Sequence, residues 1–309
     1  MRAARLTCLL GVIIGLWLPA TVRASGLPIV DLSSDPWFVG WSSLLPSGYL
    51  GDDTDSSDAC VSGRLACVTK FAARMERQVS NLDCNHNAVF SLAYARTTEQ
   101  VAAVEQSQPN FFADNPWLNH YDATFADMYL SAWNSWQRNG TAPAAWALAF
   151  QTADREGASA AGNLLLGMSA HVNRDLPFTL YAIGLVAPDG SSRKPDHDAV
   201  NKILDMVISP LLDEIAAKYD PSVRSELPRL PESLDDFIAF QLLPEWREEA
   251  WHNAAALASA PNAAARAVIA NAIEESAVLK GKALLALTQY VSPATTPESR
   301  DAYCEAHVG

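Results

Sequence analysis

The sequence has almost no alternating runs of β-branched residues, which are the usual signature of β-strands. It also lacks a linker rich in Gly, Ser or charged residues, and it has no internal repeat. The first absence argues against a sheet. The other two favour one domain over an array of units.

Basic residues are scarce, with 22 Lys and Arg against 35 Asp and Glu and a net charge of −13. A chain of this charge repels phosphate backbones and offers no basic stripe for non-specific nucleic-acid binding. We therefore expect no nucleic-acid partner.

Several motifs of common enzymes are absent: the P-loop, the dinucleotide fingerprint, HExxH and GxSxG. Ser169 lies close to His171 in GMSAH, but no strand precedes it, which disfavours a serine hydrolase. The cysteines form no CxxC pair, which disfavours a zinc site made of cysteines.

The first 24 residues have the pattern of a secretory signal peptide. Arg2 and Arg5 precede an apolar stretch from Leu6 to Leu18, and Val-Arg-Ala ends at Ala24. The stretch is short for a membrane span. We expect cleavage after Ala24, a secreted or periplasmic protein and no stable membrane span afterwards. The mature chain would hold 19 basic and 35 acidic residues, a net charge of −16.

Four cysteines would remain after cleavage, which suggests two disulfides in an oxidising compartment. Three connectivities are possible, and we favour Cys60–Cys67 with Cys84–Cys304. These pairings disfavour catalysis by a free thiol.

Apolar residues recur with helical spacing through most of the chain. We predict an all-α fold, in which an irregular arm (25–58) precedes a single multi-helix domain (59–309). The predicted helices are 62–80, 86–106, 117–138, 143–155, 159–186, 197–218, 233–258 and 263–290.

A compact polar cluster interrupts the apolar segment LLLGMSAHVNRDLPFTLY. It consists of His171, Asn173, Arg174 and Asp175, and we name it the polar cluster. Burying these groups without partners costs several kcal/mol, so each needs a partner. His171 and Asp175 stand four residues apart on one helix face, where they form a His–carboxylate couple or hold a ligand.

Pro177 follows the polar cluster and clashes with the carbonyl of Asn173 in a regular helix, which predicts a kink. Two interpretations stay open. The polar cluster is a functional site, or it is a structural network in which Arg174 pairs with a buried carboxylate and His171 caps a backbone group.

Other polar residues fall on apolar faces. Asp122 shares a face with Leu118 and Phe125, so we predict that it is buried and paired. His120 and Asp127 fall on the other side, which we interpret as a solvated face. His86 lies near a helix start and is either a core histidine or a ligand.

The segment PDHDAVNKILDMV offers Asp196 as a helix N-cap and places His197 and Asn201 one turn apart. A hydrogen bond from Asn201 to the polar cluster is expected. Glu248 and His252 stand four residues apart, and we predict an exposed pair.

Four segments together resemble an uncharacterised bacterial family with a domain of unknown function and an AHxNRDLP helix. The resemblance covers roughly residues 70–255, and it implies a helical protein and no defined activity. It rests on DCNHNAVFSLAYARTTE, WLNHYDATFADMY, GMSAHVNRDLPFTLY and the D-x-x-x-VN of Asp196 to Asn201.

The His-x-x-x-Asp pair followed by proline is also similar to the zinc-dependent phospholipase C and single-strand nuclease superfamily. Its members are secreted, all-α and act on phosphate esters. Only His171 and Asp175 match that motif, because Pro177 follows Asp175 by two residues instead of four and Ser25 stands where the group has a metal-binding N-terminal Trp.

The first functional hypothesis is an exported metal-dependent hydrolase of esters or phosphoesters, with a metal-bound water as nucleophile. Divalent ions, zinc foremost, would bind to His171, Asp175, Asp122 and His86. Arg174 or Asn173 would stabilise negative charge. His197 and Asn201 would contact the small-molecule substrate.

Two alternatives stay open beside the hydrolase. In the first, the protein is not an enzyme and the polar cluster receives a small ligand between helices. In the second, the polar cluster is structural and the function lies elsewhere.

Overall fold

The computed structural model describes residues 63–224, 234–290, 292 and 295–308. These residues form helices and a single backbone bridge, between Val186 and Ser192. The all-α prediction is confirmed. The predicted signal peptide, the arm and Cys60 lie outside the described residues.

The helices agree with the predicted ranges to within a few residues. In chain order the elements are Leu65–Leu82 (α1), Ala88–Ser107 (α2), Asn115–Asn139 (α3), Ala144–Asp154 (α4), Ala160–Ser169 (α5), the π-helix Ala170–Asp175 (π1), Leu176–Ile183 (α6), Lys194–Lys218 (α7), the 3-10 turn Pro221–Arg224, Leu234–Asp236 (α8), the π-helix Phe237–Leu242 (π2), Leu243–Ser259 (α9), Ala263–Leu287 (α10) and Pro297–His307 (α11).

The continuous helix formed by α5, π1 and α6 lies at the centre of the fold. All of its side chains from Ala160 to Ile183 are buried. A helix that is buried on every side needs neighbours on every side. It therefore packs against α2, α3, α4, α9 and α10.

Gly167 allows α2 to approach this central helix closely. A Cβ atom at Gly167 would lie 2.4 Å from the ring of Phe90, a distance that no side chain tolerates. The absence of a side chain therefore lets the Phe90 ring sit directly on the helix backbone.

The expected disturbance before Pro177 takes the form of π1. The Leu176 N–H donates to the carbonyl of His171, five residues earlier, so this turn of the helix contains one residue more than an α-helical turn. Pro177 then sits in the first turn of α6, where its missing N–H is tolerated. The helix widens where we predicted a kink.

One predicted helix start is wrong. Asp196 is not the N-cap of α7, because α7 begins at Lys194, two residues before Asp196. Its buried carboxylate instead accepts hydrogen bonds from the N–H groups of Ala113 (2.8 Å) and Asp114 (2.7 Å), just before α3. Asp196 thus ties α7 to the start of α3.

Asp122 on α3 is buried, as predicted. The solvated face predicted for His120 and Asp127 is wrong, because both are only partly exposed. Burial lowers the pKa of His120 and raises that of Asp127 to about 6. The predicted exposed pair of Glu248 and His252 is confirmed, with a separation of 3.0 Å.

The C-terminal helix α11, which the sequence analysis did not predict, is held by a disulfide. Cys84 and Cys304 are bonded as predicted, with their Cα atoms 5.7 Å apart. Cys67 is also disulfide-bonded, and its predicted pairing with Cys60 stays a prediction.

Within the described ranges, no helix has the length and apolarity that a membrane span requires.

Candidate functional site

Asp175 is the centre of the polar cluster and is completely buried. Its Oδ2 accepts hydrogen bonds from the indole N–H of Trp146 (2.7 Å) and from Nδ1 of His171 (3.1 Å). Its Oδ1 accepts from Arg174 (2.7 Å), whose Nε donates to Glu274 at 2.9 Å. The expected pairing of Arg174 with a buried carboxylate is therefore present.

Asn173 faces α10. Its side-chain oxygen accepts a hydrogen bond from Lys280 Nζ at 2.9 Å, and its amide donates to Ser169 at 3.2 Å. Lys280 is buried and also donates to Glu249 at 2.5 Å. Asn173 and Arg174 are thus committed to contacts within the protein, and neither lines the cavity described next.

A cavity of about 90 Å³ lies beside π1, between α2, α3, α7 and the start of α9. Most of its lining is aliphatic or aromatic, as is usual for small-molecule sites. Three lining residues are partly exposed, so the cavity reaches the surface beside Thr97, Phe125 and Leu204.

Four residues that line this cavity carry a buried polar atom without a hydrogen-bond partner among the described residues. We name these the open polar atoms: Tyr94 Oη, Asp122 Oδ2, His171 Nε2 and Arg247 Nε. A buried polar atom without a partner costs about 1–3 kcal/mol, so four around one cavity require an explanation.

His171 links the polar cluster to the cavity. Its ring stacks on Phe125 with centroids 3.4 Å apart and meets Tyr94 edge-on at 4.6 Å. Burial lowers the pKa of His171, although Asp175 opposes this effect, and the ring is therefore neutral. Because Nδ1 meets the Asp175 carboxylate, which only accepts, Nδ1 carries the proton and Nε2 is a bare acceptor.

Asp122 and Tyr94 add two further groups to the cavity. Burial raises the pKa of Asp122 to about 7, with a further increase from the charge of Glu105. Burial raises the pKa of Tyr94 well above its usual range, and the charge of Asp122 adds to the effect. The pairing expected for Asp122 is not found, since its Oδ2 is buried without a hydrogen-bond partner among the described residues.

Arg247 on α9 also lines the cavity. Its Nη1 donates to Tyr121 Oη at 3.2 Å, and its Nη2 donates to the carbonyl of His197. Two of its nitrogen atoms are therefore engaged, and Nε is left as one of the open polar atoms.

The residues predicted to contact substrate lie outside the cavity. His197 is buried between α7 and α9, where its Nε2 lies 3.1 Å from the carbonyl of Arg247. Asn201 Oδ1 has no partner in the part of the chain that the structure describes, and the hydrogen bond to the polar cluster is not formed. His197 supports the site indirectly by holding Arg247.

The structure does not bring His86 to the other predicted metal ligands. His86 Nε2 lies 2.8 Å from Asp301, and Nδ1 lies 2.9 Å from Arg300, both on α11. Burial and Arg300 lower its pKa. His86 is thus a core histidine that fixes the C-terminal helix, which was one of its two interpretations.

His171 and Asp175 are brought together, but both Asp175 oxygens already accept hydrogen bonds. His171 and Asp122 are the two predicted ligands that line the cavity. Within the described ranges, no group of three or more His, Cys, Asp or Glu side chains is arranged to hold a metal ion. A catalytic zinc site in proteins has three such ligands.

Sequence reasoning missed Tyr94 and Arg247. Tyr94 lies in the apolar run AVFSLAYAR and looks like an ordinary core aromatic, while Arg247 stands among charges in WREEAW. The sequence does carry one signal for Arg247, which is that it shares a helical face with Leu243 and Trp251, four residues before and after it.

The polar cluster and the cavity both lie within a segment matched by one family model, residues 68–287. The chain belongs to DUF5995, a family of unknown function. Membership in DUF5995 confirms the resemblance to a bacterial domain of unknown function.

The further resemblance to the phospholipase C and nuclease superfamily is not supported, because the family model that matches is DUF5995. No curated protein and no solved structure matches the chain.

Proposed function

We propose that this protein binds a small, largely apolar molecule in the cavity beside π1. The observation that carries the proposal is that all four residues with open polar atoms line one apolar cavity. Ligand sites combine an apolar lining with a few polar groups that fix the orientation of the ligand. A bound molecule would supply the partners that these atoms lack.

The surrounding network supports a pre-formed site. Asp175, held by Trp146 and Arg174, fixes the ring orientation of His171 from behind. Arg247 is fixed by Tyr121 and by the His197 carbonyl. Rigid lining groups reduce the ordering cost of binding.

Direct binding of fluorobenzene, followed by ¹⁹F NMR, tests the proposal. Ala93→Met on α2 adds side-chain volume to the cavity lining and should abolish binding. Ala103→Met places the same side chain on the exposed face of the same helix and should leave binding unchanged. The proposal is wrong if no aromatic probe of this size binds, or if Ala93→Met and Ala103→Met both bind fluorobenzene like the wild type.

A metal-dependent hydrolase is the second candidate. It is favoured by one observation, that His171 Nε2 and Asp122 Oδ2 are acceptors on the same cavity, so that a divalent ion is an alternative occupant. Elemental analysis of protein purified without chelator tests it. Stoichiometric zinc that is lost in His171→Ala would favour the hydrolase over the binding protein.

We also propose that the protein acts outside the cytoplasm after cleavage at Ala24. The Cys84–Cys304 disulfide supports this proposal, because disulfides persist in oxidising compartments. The mass of the exported protein tests it, and it should correspond to a chain that begins at Ser25.

A further inference from the structure

The hydrogen-bonding character of the open polar atoms restricts the chemistry of the ligand. His171 Nε2 only accepts, because Nδ1 holds the ring proton against Asp175. Arg247 Nε only donates. Tyr94 Oη does both. The ligand therefore meets at least one obligatory acceptor and one obligatory donor on the same cavity.

Few small polar groups satisfy both demands at once. A protonated amine only donates, and a carbonyl or carboxylate only accepts, so either would leave a buried partner unsatisfied. A hydroxyl donates one hydrogen bond and accepts others. Water also has both properties, but the apolar lining around these atoms favours an occupant with an apolar body.

We propose that the ligand is an apolar alcohol or phenol whose hydroxyl donates to His171 Nε2 and accepts from the two donors of the lining, Tyr94 Oη and Arg247 Nε. The edge-on contact of the two rings, with centroids 4.6 Å apart, places the two residues side by side in the cavity lining. The carbon body extends along the apolar lining toward Thr97 and Leu204, where the cavity reaches the surface.

The inference rests on the proposed function. Three probes of similar size distinguish a failure of the inference from a failure of the proposed function. Phenol carries the hydroxyl, fluorobenzene lacks a donor, and benzylamine is a protonated cation at pH 7. Phenol should bind at least tenfold more tightly than fluorobenzene and than benzylamine, because a site built for a hydroxyl rejects analogues that leave its polar groups unpaired. Affinities are measured by ligand-observed NMR titration.

Two variants assign the preference to the named atoms. His171→Phe keeps an aromatic ring against Phe125 but removes the acceptor, and Tyr94→Phe removes only the hydroxyl. Each should reduce the preference for phenol over fluorobenzene to threefold or less, with fluorobenzene affinity unchanged. Tyr219→Phe, at a buried tyrosine outside the cavity lining, should retain the full preference.

Tyr94→Phe alone decides the matter if His171→Phe does not fold, since Tyr94 Oη is an open polar atom and its removal breaks no hydrogen bond among the described residues. Equal binding of phenol and fluorobenzene overturns the inference and leaves the proposed function intact. Tighter binding of benzylamine, or a phenol preference that survives in Tyr94→Phe, also overturns it. Failure of all three probes to bind overturns the proposed function itself.

Discussion

The indole N–H of Trp146 donates a hydrogen bond to Asp175 Oδ2 over 2.7 Å, between two side chains that are both completely buried. The same oxygen also accepts a hydrogen bond from His171 Nδ1. Trp146 on α4 therefore helps to set the position of the His171 ring, which lines the cavity. The hydrogen bond between Trp146 and Asp175 therefore links the packing of α4 to the candidate site.

Trp146→Phe should lower the free energy of unfolding by about 2–4 kcal/mol, because it removes a hydrogen bond to a buried carboxylate together with part of a packed ring. The control is Trp136→Phe, which removes a 2.8 Å hydrogen bond to Asp154 at a more exposed position and should cost less than about 1.5 kcal/mol. Urea denaturation compares them, and equal losses would contradict the assigned role of Trp146.

Asp122→Asn should stabilise the protein at pH 8 and have little effect at pH 4. Burial raises the pKa of folded Asp122 to about 7 from an ordinary value of 3.8, so the carboxyl contributes stability at low pH that is lost as the pH rises from about 4 to 7. Asn does not ionise, so the variant avoids this loss of stability, which amounts to at most about 4 kcal/mol.

The measurement is the free energy of unfolding of both proteins at pH 4, 6 and 8. Asp205→Asn, at an exposed position on α7, is the matched control and should show no such trend. A constant difference between Asp122→Asn and wild type across this range would show that Asp122 is solvated or paired in the folded protein.

Gly167→Ala should destabilise the protein by about 1–3 kcal/mol, since the new Cβ meets the ring and the Cβ atom of Phe90. Gly281→Ala is the control on α10, where the added atom meets only a terminal methyl group of Leu148 that is able to move. Its cost should be offset by the higher helix propensity of Ala, roughly 1 kcal/mol. Melting temperatures that fall equally in the two variants would refute the close approach of α2.

The double variant Cys84→Ser/Cys304→Ser should lose about 3–5 kcal/mol of stability, because the disulfide closes a loop with a sequence separation of 220 residues. The expected local effect is earlier proteolysis within α11. Reduction of the wild type should reproduce both effects, whereas reduction of the double variant should not alter cleavage in α11. Unchanged cleavage in the double variant would mean that His86 and Arg300 hold α11 without the disulfide.

Much of the fold could be predicted from the sequence, because helical apolar spacing is a local property. The central helix, the burial of Asp122 and the Cys84–Cys304 pair were all predicted. The misjudged features depend on neighbours distant in the chain. The local sequence predicts an N-cap role for Asp196 because its partners, the N–H groups before α3, lie more than 80 residues earlier.

The candidate site was only half predictable for the same reason. The polar cluster is contiguous in sequence, so the sequence alone predicts it, including the contact of His171 with Asp175. The cavity is formed by side chains from several helices, and Tyr94 and Arg247 are 153 positions apart. Their character as site residues comes from one atom of each, Tyr94 Oη and Arg247 Nε, that has no hydrogen-bond partner among the described residues, and no local pattern reveals this.

The π-helical segment fixes the length of the central helix. One residue of an α-helix corresponds to a rotation of about 100°. The π turn absorbs that rotation, because it holds one residue more than an α turn. Loss of one residue from Ala170–Asp175 would therefore keep α6 in phase with α5 and disturb instead the polar-cluster side chains held within the turn. An insertion or a deletion in this turn should therefore disturb the contacts of Asp175 and Arg174 together, whereas a substitution disturbs only the contacts of its own side chain.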